Sequence, residues 1–386
     1  MILVVHNRYR VTGGEERVVA DLAWLARERL GEDVAILRRD SARAGRARAA
    51  AGLLGGGLAP ARVAGAVRAT GARVVHAHNL WPSFGPRALE AARAAGARVV
   101  LHLHNYRLVC AVGTCFDRRG EDCTRCHGRD TRPGVRLNCR GTGPEAAVYG
   151  AGLALWQRRL VAAADAVVVP SAAALERLLE LGAPLESTRI HVVGHVVRAF
   201  AERSAAAGGT HALVVGRLAR EKGVDLAIDA CARAGLPLVV AGDGPLRPEL
   251  EAHARAAGGD VRFAGRVDDA ELARLRATAA LAIVPSRSAE TFGLAAAEAM
   301  AAGVPVVATA MGALPELVGP AGIVPPRDAA ALADAARRRW GDAAAGELGL
   351  ARVRAACAPD AVAARLGAVY RGEPPGAGWE RPAGTR

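Results

Sequence analysis

The sequence predicts an α/β protein built from two Rossmann-like, doubly wound domains in series, and three observations carry that prediction. The chain has 386 residues, beyond the size at which a single core keeps growing, so two domains are expected. Short apolar runs alternate with helix-length amphipathic segments along most of the chain, which is the rhythm of parallel strands joined by crossover helices. Apolar residues make up 51% but aromatics only 4%, a balance that suits small-residue helices packed on buried strands. Two such domains facing across a cleft would present the C-terminal ends of both sheets to it, where ligands of these sheets bind.

The elements follow in order. In the first half, runs of Val, Ile, Leu and Ala predict strands near 2–6, 33–37, 73–77, 97–103 and 166–169. Amphipathic spacing predicts helices near 15–29, 84–95, 145–163 and 171–181. The stretch Ala206-Ala207-Gly208-Gly209 breaks the pattern, and the domain boundary is expected near 194–210. A second series then predicts strands near 211–215, 237–241, 260–264, 280–284 and 304–308, separated by helices near 223–234, 246–257, 269–278 and 293–302. Helical patterns near 328–340 and 360–370 follow, and the Pro/Gly-rich polar tail from Gly372 to Arg386 is expected to be mobile.

No apolar run approaches the length of a membrane span, and the first residues lack the order of a signal peptide. Seven cysteines, an odd number, do not read as an oxidised scaffold in a chain of this size, so the expected compartment is the cytoplasm. The formal net charge is +13. Read as an arginine-rich composition, it does not call for nucleic acid as a partner. From Ile36 to Arg73 eight arginines stand against one acid, Asp40. That segment reads either as a solvated helix face with a linker or as a peripheral contact with an anionic membrane at its inner face.

Three loops carry chemistry. Thr12-Gly13-Gly14-Glu15 follows the first strand and opens a helix, so its backbone can approach a phosphate. Val215-Gly216-Arg217 through Glu221-Lys222-Gly223 leaves the first strand of the second domain. Arg217 offers a planar fork to two phosphate oxygens, and Lys222, the one lysine in the chain, offers a compact point charge. In the third loop Glu290 precedes a helix, Gly293 frees the backbone, and Glu298 lies eight residues on. Two carboxylates so placed can each accept paired hydroxyls of a sugar or ribose.

At these residues the chain resembles the retaining glycosyltransferases of the GT-B fold, family four, also called group 1, over roughly residues 1–370. The resemblance rests on Gly13-Gly14, on Gly216-Arg217-Leu218 with Glu221-Lys222-Gly223, on Gly242-Asp243-Gly244-Pro245, and on Glu290 to Glu298 followed by Ala302-Gly303-Val304-Pro305. It implies a GT-B architecture and transfer of a sugar from a nucleotide diphosphate donor to a glycan, a lipid-linked sugar or a small molecule, with retention of anomeric configuration. Arg217 and Lys222 would hold the diphosphate, and Glu290 with the backbone of Phe292, Gly293 and Leu294 the transferred sugar and phosphate. Glu298 would bind the ribose, with Gly216 beside the diphosphate and Val267 flanking the base. His104 matches the family's histidine near the sugar, with His102 as a rival, and Gly13 and Gly14 match the loop near the diphosphate. On this reading residues 1–195 form the acceptor-side domain and 210–358 the donor domain. A helix over 359–371 packs back on the first domain, and 372–386 form the tail.

There is no Asp-x-Asp in the chain, so metal-independent transfer is expected. Where many members have Pro-Asn-Gly entering the linker, this chain has Val193-Gly194-His195-Val196. A second departure is the cysteine cluster. Cys123-x-x-Cys126 has the spacing of a zinc knuckle and Cys110 with Cys115 can complete it, or the loop carries unligated thiols. Two other functions fit the architecture: a sugar-nucleotide 2-epimerase, which needs no acceptor, and a non-catalytic nucleotide-sugar or nucleic-acid binding module.

Overall fold

The computed structural model describes residues 1–8, 13–43, 45–186 and 189–376, with the side chain of Ala42 also left aside. Thr12 and the tail beyond Gly376 lie outside the described residues. The chain divides into two compact units, one of residues 1–119, 123–196 and the stretch from Pro359, the other of 120–122 and 197–358.

The first unit is built from β1 (Ile2–Arg8), α1 (Gly14–Leu30), β2 (Val34–Asp40), α2 (Arg46–Leu54), α3 (Ala61–Thr70), β3 (Val74–Ala77), α4 (Gly85–Ala94) and β4 (Arg98–His102). The chain continues through α5 (Arg132–Arg136), α6 (Gly143–Ala162), β5 (Ala166–Val169), α7 (Ala172–Glu180) and β6 (Ile190–Val192). Its six strands are all parallel, in the order β2-β1-β3-β4-β5-β6. The inner strands are apolar on both faces because helices cover both; Val75, Val99, Val100 and Val168 are wholly buried. Ser171 starts α7 by accepting the Ala174 N–H on its hydroxyl at 3.0 Å.

The second unit runs β7 (His211–Val215), α8 (Val224–Ala234), β8 (Leu238–Ala241), α9 (Arg247–Ala257), β9 (Val261–Gly265), α10 (Asp269–Ala277), β10 (Ala279–Val284) and α11 (Leu294–Ala301). It closes with β11 (Val306–Thr309), α12 (Leu314–Val318), β12 (Ile323–Val324), α13 (Ala329–Arg339) and α14 (Ala343–Cys357). This sheet is also fully parallel, in the order β12-β11-β10-β7-β8-β9. Carboxylates of Asp268, Asp328 and Asp342 cap α10, α13 and α14 by accepting backbone N–H groups at 2.8, 2.8 and 3.0 Å. The last helix, α15 (Pro359–Arg371), belongs to the first unit, where it packs on α1 and β4.

Two features of the sheets locate their ligand sites. In the first, β1 lies between β2 and β3, so successive connections leave β1 toward opposite edges; in the second the same reversal falls between β7 and β10. Crevices form at the carboxyl ends of strands at such reversals. The structure also adds elements to those read from sequence. The basic Ile36–Arg73 segment contains two helices, α2 and α3, joined by residues 55–60; its Ala, Leu and Val residues bury one side, Leu53, Val63 and Val67 among them, and leave Arg46, Arg48, Arg62 and Arg68 exposed, as in the helix-face reading. Helix α14 and the short strands β6 and β12 are likewise new. Among the described residues no helix is long and apolar enough to cross a membrane.

Candidate active site

Lys222 and Glu290, from the loops after β7 and β10, meet at the reversal of the second sheet. Beyond β7 the chain makes a single 3-10 turn at Arg220–Lys222 that ends on Gly223, whose φ is +64°. A Cβ there would meet the Pro285 carbonyl oxygen at 2.1 Å, so only glycine lets this turn lie against the loop that follows β10. The two loops are then pinned together. The Arg287 N–H donates to the Glu221 carbonyl at 2.8 Å, and the Arg287 guanidinium pairs with Asp225.

That pinning brings Lys222 to Glu290. Lys222 Nζ donates to Glu290 Oε1 at 2.6 Å, and Ser286 Oγ donates to the same oxygen at 2.6 Å. The Glu290 backbone is fixed by the Ala313 N–H at 2.8 Å. Burial acts to raise the Glu290 carboxyl, but the charge and hydrogen bond of Lys222 and the bond from Ser286 outweigh it, so the group is held below the usual carboxylate range and is ionised. Arg217 pairs with Glu221 four residues on and keeps half its side chain in solvent. No neighbour approaches within 4 Å of where a Gly216 Cβ would stand, so packing does not demand glycine there.

Gly293 takes φ +96° just before α11, with Phe292 buried behind it. The exposed N–H groups of that helix start at Leu294. Glu298 lies on α11 and pairs with Arg276 of α10, both side chains mostly buried. Where the sequence offered this carboxylate to hydroxyls of a ribose, the structure pairs it with a cation. Val267 follows β9, half-buried, with Arg266 exposed beside it.

In the first unit Gly13 caps α1, its N–H donating to Glu16 Oε2 at 2.8 Å, and Gly14 is the first helical residue. Glu15, one residue further, accepts from the Asn79 N–H at 3.2 Å and from Asn105 Nδ2 at 3.3 Å. Around it stands an array of six histidines from four strands and loops. His78 Nδ1 is 2.7 Å from His104 Nε2, His76 Nε2 is 3.2 Å from His102 Nδ1, and His76 Nδ1 is 2.8 Å from the Tyr370 hydroxyl. His102 and His104 stack at 4.0 Å between ring centroids, and His195 lies at 5.6 Å from His104. His102 is buried and tied to His76, His104 is half-buried, and both line a small cavity with Glu15, His78 and Arg107.

Burial pushes His76 and His195 down to about 3 and His6 to about 4. It likewise holds His78, His102 and His104 well below the usual imidazole value, with mutual repulsion adding to it. The array is therefore neutral at pH 7. Among the described residues, two groups bring their ligand atoms within 4.8 Å of one another, His76/His78/His102 and His102/His104/His195.

The cysteine loop forms a separate feature of the first unit. Cys110, Cys115, Cys123, Cys126 and also Cys139 line one small cavity, and none of the seven cysteines is in a disulfide. The Cys110 thiol is drawn down to about 6, chiefly by a hydrogen bond from Cys115 and further by backbone N–H groups of Gly113, Cys115 and Val112 against the effect of burial.

Two family models match the chain. "Glycosyl transferase 4-like domain" matches residues 9–195 and "Glycosyl transferases group 1" matches residues 209–342. The chain belongs to the group 1 glycosyltransferases. This glycosyltransferase is 37% identical over 202 residues to a glycogen synthase of Mycobacterium tuberculosis, covering 49% of this chain and 48% of the relative. The match thus spans about half the length of that curated relative. Among solved structures it resembles sucrose-phosphate synthase from Thermosynechococcus elongatus, with TM-score 0.67, 22% identity and coverage of 96% and 98% of the two chains. It also resembles Anabaena HepE in complex with UDP and glucose, with TM-score 0.61, 19% identity and coverage of 95% and 98%. These likenesses establish the GT-B fold for this glycosyltransferase.

Several residues of the site escaped the sequence reading. Ser286, Arg276 and the Arg287–Asp225 pair carry no motif of their own. The histidine array did leave a signal. His76-Ala77-His78 and His102-Leu103-His104 repeat one i, i+2 pattern at the ends of adjacent strands, where it places two rings on one face.

Proposed function

We propose that this glycosyltransferase moves a sugar from a nucleotide diphosphate donor to an acceptor with retention of anomeric configuration and that its donor site is the reversal of the second sheet. The observation that carries the reading is the constellation of Lys222, Glu290 and Ser286 beside Arg217 and the start of α11. Helix N–H groups and two cations suit a diphosphate, and a fixed, ionised carboxylate suits sugar hydroxyls. Among the described residues Arg217 pairs with Glu221, and with half its side chain in solvent it can turn its other N–H groups to a phosphate.

The chemistry then follows from charge. As the bond from C1 of the sugar to the diphosphate oxygen breaks, negative charge grows on the leaving group. Lys222, Arg217 and the N–H groups from Leu294 onward stabilise that charge. The acceptor oxygen bonds to C1 on the face the diphosphate leaves, and its proton passes to a diphosphate oxygen. In the same proposal Glu298 takes the ribose, exchanging part of its bond to Arg276, and Val267 flanks the base. His104, Gly13 and Gly14 keep the roles that the family resemblance implies.

A thermal-shift screen of UDP-, GDP- and ADP-sugars tests this directly, since a specific ligand raises the melting temperature with its concentration. One nucleotide class should stabilise saturably and support transfer, and the product's anomeric proton coupling should match that of the donor. Inversion at C1 would remove the retaining mechanism while leaving the donor site in place. No shift and no donor turnover with any nucleotide sugar would remove the function.

A further inference from the structure

Between β4 and α6 the chain runs from Leu103 to Thr142 with a single five-residue helix, α5, as its only regular element. A stretch this long without strands or long helices needs something beyond local hydrogen bonds to hold one shape. Five of the seven cysteines fall in it, and all five line the same cavity. The backbone is shaped around their sulfurs. Gly134 leaves room for Cys126, since a Cβ there would stand 3.4 Å from Cys126 Sγ, and the Cys139 N–H donates to the Gly134 carbonyl at 3.0 Å, which brings Cys139 to the same wall.

We propose that Cys110, Cys123, Cys126 and Cys139 bind one zinc ion that staples this loop, while Cys115, the buried one of the five, shapes the turn rather than serving as a ligand. Cys110, Cys123, Cys126 and Cys139 are each half-buried along the wall of that cavity. Cys115 instead is buried, adopts φ +49°, and accepts the Cys123 N–H on its carbonyl at 2.7 Å. It thereby sets the turn that carries the Cys123-x-x-Cys126 pair. This replaces one member of the set that sequence spacing suggested.

Four thiolates around Zn²⁺ leave two negative charges, and the loop supplies a cation to meet them. Arg125 Nη1 donates to Cys123 Sγ at 3.7 Å and to the buried Asp117 at 2.6 Å. Binding involves no redox step: each thiol gives its proton to solvent as the ion takes its place. The sulfurs now stand apart, since no three of them lie within 4.8 Å of one another, whereas zinc–sulfur bonds of about 2.3 Å set tetrahedral ligands roughly 3.8 Å apart. The ion would draw the loop inward.

The test is elemental analysis of the purified full chain together with two single variants. Wild type and Cys115→Ser should each carry about one zinc per chain, and Cys139→Ser should carry far less. Cobalt substitution of the wild type gives a readout that needs no variant, with intense thiolate-to-metal absorption and the d–d bands of a tetrahedral sulfur site. Metal-free wild-type protein that takes up no cobalt would overturn the proposal. So would a thiol titration showing disulfides among these cysteines, or loss of zinc in Cys115→Ser with retention in Cys139→Ser. Zinc retained in Cys139→Ser but lost in His78→Ala would move the ion to the histidine triads and overturn it as well.

Discussion

Replacing Lys222 with methionine removes the ammonium and keeps most of the aliphatic stem. In the structure Lys222 Nζ is 2.6 Å from Glu290, with side chains 35% and 16% exposed. That places the pair between a surface ion pair, worth about 0.2–1 kcal/mol, and a buried one whose truncation costs about 3–5 kcal/mol. Glu290 would keep its bond from Ser286, so a loss of about 2 kcal/mol in stability is expected. The effect on turnover has a different origin, the loss of a charge aimed at the departing diphosphate, and should be on the order of 10²-fold in kcat. Denaturant unfolding and initial rates at saturating donor separate the two. Lys222→Arg should restore much of the stability but little of the rate, because a planar fork does not occupy the place of a compact ammonium. Wild-type kcat in Lys222→Met, accompanied by the stability loss, would reduce Lys222 to a structural partner of Glu290 and refute its role at the diphosphate.

Other outcomes follow from the same geometry. Glu298→Ala should chiefly raise the donor KM, since a ribose contact is alike in ground and transition states, and should also destabilise the second unit by stranding Arg276; a loss confined to kcat would contradict the ribose role. The buried histidines bind protons more weakly folded than unfolded, so the unfolded chain gains protons as pH falls below about 6.5 and stability declines from there toward pH 4. His6 alone, lowered to about 4, accounts for about 3 kcal/mol of that decline once it is complete. Urea midpoints that stay constant between pH 7 and 5 would show that the array is not buried neutral. Arg43, Arg46 and Arg48 are exposed around the start of α2. If that face meets an anionic membrane, neutralising all three should weaken sedimentation with phosphatidylglycerol vesicles at low salt by about 1 kcal/mol per charge. Donor hydrolysis should be unchanged, and equal partitioning of wild type and variant would assign the face to solvent.

The βα rhythm made both sheets legible because parallel strands buried on both faces are short apolar runs whatever surrounds them. Elements were lost where that signal fails. Strand β12 has two residues and β6 three, too few to show a pattern. Helices α2 and α3 were obscured because exposed arginines interrupt their narrow buried sides. Within the donor loops, Lys222 and Glu290 could be singled out by type and spacing, but their contact across 68 residues could not, because it depends on Gly223 resting on Pro285 and on the Arg287 bridge. Glu298 could be singled out by type and by its place eight residues beyond Glu290. Its partner Arg276 was hidden among many arginines of equal appearance.

Helix α15 belongs to the first unit although the whole second unit precedes it in sequence. It contributes the Tyr370 hydroxyl to His76, and the Val369 carbonyl accepts from Arg98 Nε at 3.0 Å. A ribosome delivers these residues after everything else described here, so the first unit emerges early and waits. Until residues 359–371 leave the exit tunnel, the surfaces of α1 and β4 that they cover stay open and His76 lacks the tyrosine hydroxyl. The order of completion is therefore the reverse of the order of synthesis. A nonsense codon near residue 358 would leave the second unit whole and deprive the first of α15.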